Sequence, residues 1–146
     1  MPRARKKNEE ALGRSRGGFG TKIHVAVDAV GAPIKLLFTP GQESDISHGP
    51  ELIAGCGAAA IIADRGYDGH AFIDAVIAEG AKPVIPSRSI AVNPRKTNRR
   101  LYRKRNRVER FINRIKHYRR VATRYEKTVR NFSAIVHCAA ALILLG

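Results

Sequence analysis

The chain is 146 residues long, enough for one domain around one hydrophobic core. Its 27 Lys and Arg against 12 Asp and Glu leave a net charge of +15, an excess that repels itself unless a polyanion neutralises it, so nucleic acid is the first partner to consider. No run approaches the ~20 apolar residues of a membrane-spanning helix and no signal segment opens the chain, which points away from a membrane and towards a cytoplasmic, nucleoid-associated protein, while two isolated cysteines, Cys56 and Cys138, are too few for a disulfide framework or a zinc site.

Residues 1–18 carry Arg3, Arg5, Lys6, Lys7, Arg14 and Arg16 with almost no apolar content, and read as a basic arm or linker ahead of a folded part spanning 19–146. Ile23, Val25 and Val27 then alternate with Lys22, His24 and Ala26, a turn follows around Gly31, and the chain returns through Ile34 to Thr39, so 21–39 reads as a β-hairpin. Residues 47–53 can form a short helix. Ala58 to Ala63 is a continuous apolar run, the pattern of a buried strand, and it ends in Asp64-Arg65-Gly66-Tyr67-Asp68-Gly69. From His70 to Glu79, Phe72, Ile73, Val76 and Ile77 recur with helical spacing, and Gly80 supplies the stop. Val84-Ile85-Pro86 reads as a short strand, 87–100 as a polar loop, 101–120 as one long basic helix, and 131–145 as an apolar helix that packs on the core. The order predicts an α/β fold with mixed strand directions.

Two carboxylates stand out. Asp64 lies at a strand's C-terminal end, where open α/β sheets build their sites, although the same position is the ordinary place for a turn or helix cap. Residues 95–120 hold thirteen Lys or Arg and a single acid, Glu109. At 100° per residue, Tyr102, Arg105, Glu109 and Lys116 share a stripe about 60° wide, beside an apolar face of Leu101, Val108, Phe111, Ile112 and Ile115. Glu109 therefore emerges at the margin of the buried face, where a helix laid on the sheet would aim it towards Asp64. Paired carboxylates in cationic surroundings suit hard divalent cations, and two such ions serve in-line phosphodiester cleavage. The cations Arg110, Arg114, Arg119 and Arg120, with Arg105 and Lys116, would hold DNA phosphates.

These residues resemble a known family. Tyr102, Arg105, Glu109 and Lys116, with the flanking Arg107-Val108-Glu109-Arg110-Phe111-Ile112-Asn113-Arg114-Ile115-Lys116, are similar to the signature around the last catalytic Glu of the DDE-type bacterial transposases of the insertion sequence four and five superfamily. Ala63-Asp64-Arg65-Gly66-Tyr67-Asp68 resembles the family's second catalytic-Asp segment, and Gly17 to His24 is similar as well, so the likeness runs from about residue 11 to the end. The resemblance implies a ribonuclease H-like mixed sheet flanked by helices, with Asp64 and Glu109 as catalytic residues and ligands of Mg²⁺ or Mn²⁺, and with Tyr102, Arg105 and Lys116 at donor DNA. It implies DNA transposition through cleavage and strand transfer at double-stranded transposon end repeats, on which the protein would form a homodimer.

The family's first Asp precedes the Gly17-Gly18-Phe19-Gly20 segment, and residues 1–16 contain no Asp. Asp28, at the hairpin turn, is no substitute. The expectation is the C-terminal part of a catalytic domain, incomplete at the central strand, inert alone and active with an upstream segment that supplies the first Asp. A catalytically inactive remnant that binds DNA is the alternative, and an RNA-binding basic protein a remoter one.

Overall fold

The computed structural model describes residues 13–15, 18–123 and 128–146, and the chain divides into two compact units, Met1–Glu43 with Val108–Gly146, and Ser44–Arg107. The basic residues Arg3, Arg5, Lys6, Lys7 and Arg16 of the expected arm lie outside the described residues.

In the first unit, strands β1 (Gly13–Ser15), β2 (Gly18–Val27) and β3 (Pro33–Pro40) form an antiparallel sheet in that order. The expected hairpin is present but longer, and β1 places three residues of the stretch assigned to an arm in a strand. Backbone pairing accounts for this: Gly13 faces Gly20 and Ser15 faces Gly18 in an antiparallel ladder. Asp28 Oδ1 accepts the N–H groups of Val30 and Ala32, both at 2.9 Å, and Gly31 takes φ 90°, so Asp28 closes the hairpin turn. Alternation sorts the two faces. Ile23, Val25, Val27, Leu36 and Phe38 pack on the core, and His24 and Thr39, buried on the other face, are joined at 2.7 Å between His24 Nε2 and Thr39 Oγ1.

The same core takes Phe111 and Ile115 from one helix and Phe132, Val136, Ala139 and Ala140 from the C-terminal helix Val129–Leu145, with Phe38 meeting Phe132 edge-on at 5.9 Å. The C-terminal helix is apolar because this packing requires it. Among the described residues no helix is long and apolar enough to cross a membrane.

The second unit is a βαβ arrangement: β4 (Ala60–Ile62) pairs in parallel with β5 (Lys82–Val84) through the intervening helix His70–Ala78. Its helix ends where Gly80, at φ 76°, lets Ala81 N–H reach Val76 O and Gly80 N–H reach Ile77 O. Ile53, Phe72, Val76, Ala81 and Ile85 form its core. The predicted helix near 47–53 is a 3₁₀ turn, Asp45–His48, running into Gly49–Ile53. The fold class is mixed α/β as expected, with its strands divided between two small sheets.

Two expectations need correction. β4 is half-buried rather than fully buried, because a two-stranded sheet cannot enclose both its faces. The single helix over 101–120 is instead Arg99–Tyr102, a 3₁₀ turn at Arg103–Arg105, Asn106–Ile115 and the short Arg119–Ala122. Asn98 starts the series by accepting the N–H groups of Arg100 and Leu101 on its side chain. The 3₁₀ turn advances about 120° per residue in place of 100°, so the wheel drawn for a continuous helix drifts before it reaches Glu109. Within Asn106–Ile115, Phe111 and Ile115 are nonetheless buried and Ile112 packs on the same core, so the apolar face stands over that helix, while Leu101, in the second unit, is half-buried.

Candidate active site

Asp64 stands two residues beyond β4, where the strand opens into the 3₁₀ turn Arg65–Tyr67. It is the N-cap of that turn: its Oδ1 accepts Gly66 N–H at 2.8 Å, and its backbone carbonyl accepts Tyr67 N–H at 3.0 Å. The capping role and an exposed carboxylate coexist, because one oxygen serves the turn and Oδ2 carries no hydrogen bond among the described residues. Gly66 leaves the Asp64 oxygen room in this position. A Cβ at that position would lie 2.9 Å from Asp64 Oδ1.

Tyr67 packs its ring against Phe72 at 5.1 Å. Burial, then the negative charges of Asp45 and Asp64, push its hydroxyl up to about 12, so it stays a neutral O–H beside the Asp64 carboxylate.

Asp68 closes the turn. Its Oδ2 accepts Arg88 N–H at 2.6 Å and its Oδ1 accepts Arg95 Nη2 at 2.5 Å, while Arg95 also donates to Ile85 O at 3.3 Å and its backbone N–H to Ser87 Oγ at 2.8 Å. The Arg95 hydrogen bond, helped by the Arg88 N–H, holds the Asp68 carboxyl below the usual carboxylate range. Sequence reasoning did not find this pair, which lies 27 residues apart. The one available signal was a second Asp in the Asp64-Arg65-Gly66-Tyr67-Asp68 segment itself.

The signature residues are placed as follows. Tyr102 ends the helix Arg99–Tyr102, and the Arg105 guanidinium lies over its ring at 5.8 Å, a cation–π contact within the second unit. Glu109, Arg110 and Arg114 are exposed on the helix Asn106–Ile115, and Lys116 follows it, its N–H on Ile112 O at 3.1 Å. Arg114 donates to Ile143 O at 3.4 Å, tying this helix to the C-terminal one. Arg119 and Arg120 are exposed in the first turn of Arg119–Ala122. Glu109 thus belongs to the first unit and Asp64 to the second.

Among the described residues no three His, Cys, Asp or Glu side chains gather closely enough to hold a metal ion, and both cysteines are free thiols. The donor chemistry of Asp64 and Glu109, two exposed carboxylates, suits Mg²⁺ or Mn²⁺ over softer metals.

Residues 2–144 match the family model described as "Transposase DDE domain". The chain is 39% identical over 131 residues to a Brucella ovis protein named as a transposase for insertion sequence element IS6501, a match that covers 86% of this chain and 98% of that relative. No solved structure matches the chain.

Proposed function

The chain belongs to the DDE-domain transposase family, and we propose that it supplies Asp64 and Glu109 as the second and third carboxylates of a site that cleaves transposon-end DNA and joins it to a target. The observation that carries this reading is the Asp64 turn. A carboxylate fixed at a parallel strand's C-terminal end, with one oxygen anchored and the other open, is suited to bind a hard cation with little reorganisation.

Asp64 and Glu109 would hold Mg²⁺ or Mn²⁺, and such ions, when bound, activate the attacking oxygen and stabilise the leaving one in phosphodiester cleavage. The chain's own cations have a separate task. Tyr102 with Arg105 stacked on it, and Arg110, Arg114, Lys116, Arg119 and Arg120, would neutralise phosphates of double-stranded end repeats and fix the register of the duplex.

On this reading the fold is ribonuclease H-like, residues 1–18 act largely as a basic arm, and 19–146 are the C-terminal part of the catalytic domain. A strand carrying the first Asp comes from an upstream segment. The active species is then a homodimer on DNA in the cytoplasm, associated with the nucleoid. The test is to express the chain with and without that segment and measure Mg²⁺-dependent cleavage of end DNA. Cleavage only with the segment supports the reading, and cleavage by residues 1–146 alone refutes the missing strand.

A further inference from the structure

The segment between β5 and the helix Arg99–Tyr102 has no regular structure, yet it is tied down at its root. Asp68 takes the Arg88 N–H on one oxygen and the Arg95 guanidinium on the other, Arg95 also holds Ile85 O, and its backbone N–H holds Ser87 Oγ. A further turn, Ala91 N–H on Arg88 O at 3.0 Å, folds the tip. Beyond the root stand Ile90 and Val92, 85% and 93% exposed, the second being the most exposed large apolar side chain among the described residues. Such groups in a latched loop mark an interaction surface better than a solvated connection.

Charge identifies the partner. From Gly80 through Val108 the sequence has no acid, while Arg88, Lys96, Arg99 and Arg100 are exposed on either side of Ile90 and Val92 in the chain. Asp68 is spent on the segment's root, where it neutralises Arg95. A loop whose exposed apolar side chains are flanked in the chain by cations and by no acid matches duplex DNA, where phosphates border a groove whose floor accepts apolar contact.

We propose that residues 86–98 form a DNA-contacting finger, with Ile90 and Val92 at its tip against the duplex, and that Asp68 is a positioning residue that latches it to the turn bearing Asp64. The proposal rests on the DNA-transposition reading above and adds a contact surface to it. Preorganisation is the physical gain: a loop already fixed has less conformational freedom to lose on binding.

The test is fluorescence anisotropy of the full chain on a short labelled DNA duplex over a series of salt concentrations. Asp68→Asn raises the net charge by one, so charge alone would tighten binding. The latch instead requires weaker binding, by roughly three- to tenfold. Asp74→Asn, an exposed acid on the helix His70–Ala78, is the charge-matched control and binds no more weakly than the parent. Ile90→Ser with Val92→Ser, at surface positions that the fold does not need, lowers affinity and leaves the salt dependence unchanged. If Asp68→Asn binds as tightly as the parent, or the tip substitutions have no effect, the finger is wrong even though the parent binds. A preference for single-stranded DNA or for RNA over the duplex overturns it too. If the parent shows no salt-dependent binding to the duplex, the transposition reading itself falls.

Discussion

The Oδ1 atom of Asp64 accepts the N–H of Gly66 at 2.8 Å, and a Cβ on Gly66 would sit 2.9 Å from that same oxygen. A side chain on the residue that anchors the carboxylate would therefore make that oxygen shift. Gly66→Ala is expected to turn the Asp64 carboxylate out of its place. In the chain joined to the upstream segment proposed above, DNA cleavage should fall by about a hundredfold, the loss that a misplacement of roughly 1 Å produces at a reacting centre. Circular dichroism and DNA affinity should stay near the parent values.

The Tyr67 hydroxyl, pushed up to about 12 by burial and by Asp45 and Asp64, gives a pH signature. The folded value lies above the ordinary tyrosine value of about 10. Its contribution to stability is therefore complete below pH ~10 and is lost as pH rises through the folded value, because the unfolded chain releases its proton first. Ultraviolet titration of tyrosinate should show one group ionising late. Asp64→Asn should bring that group down, and no change on that substitution would separate the two side chains.

The core of the first unit should respond at Phe111, 2% exposed and in contact with the C-terminal helix's cluster. Phe111→Ala is expected to lower stability by about 3–5 kcal/mol, read as a lower denaturation midpoint. Phe111 stands two residues from Glu109, so this variant should lose folding and DNA binding together. An Asp64 variant should not.

Local signals were legible in the residue order, and long-range ones were not. Alternation at Ile23, Val25 and Val27 and the Gly80 stop each express a repeat or a backbone preference inside a few residues, and both appear in the structure. The 3₁₀ break at Arg103–Arg105 was not visible, since a run of Arg and Lys suits either helix type and holds no Pro or Gly to mark the change. β5 lies two residues earlier than expected because it tolerates Pro83, which a sheet edge allows. The turn at Asp64 was legible from its place between an apolar run and a Gly-containing stretch, and the three-residue spacing of Tyr102 and Arg105 brings them into contact. The Asp68 latch could not, because no periodicity links it to a loop residue as distant in the chain as Arg95.

The basic stretch sets the salt dependence of binding. Affinity for duplex DNA should fall by roughly 0.9 log units per log unit of salt for each phosphate neutralised. Arg105→Gln with Lys116→Gln should lower that slope by about two contacts' worth. A flat dependence between low and moderate salt would show that residues 95–120 are not the binding surface.

The most direct test is to join the chain to the upstream segment proposed above, as the parent and as Asp64→Asn and Glu109→Gln, and to measure Mg²⁺-dependent cleavage of transposon-end DNA beside binding of the same DNA. The account expects both variants to bind close to the parent and to cut no detectable strand. Cleavage by either variant at a rate near the parent's would contradict the assignment of Asp64 and Glu109.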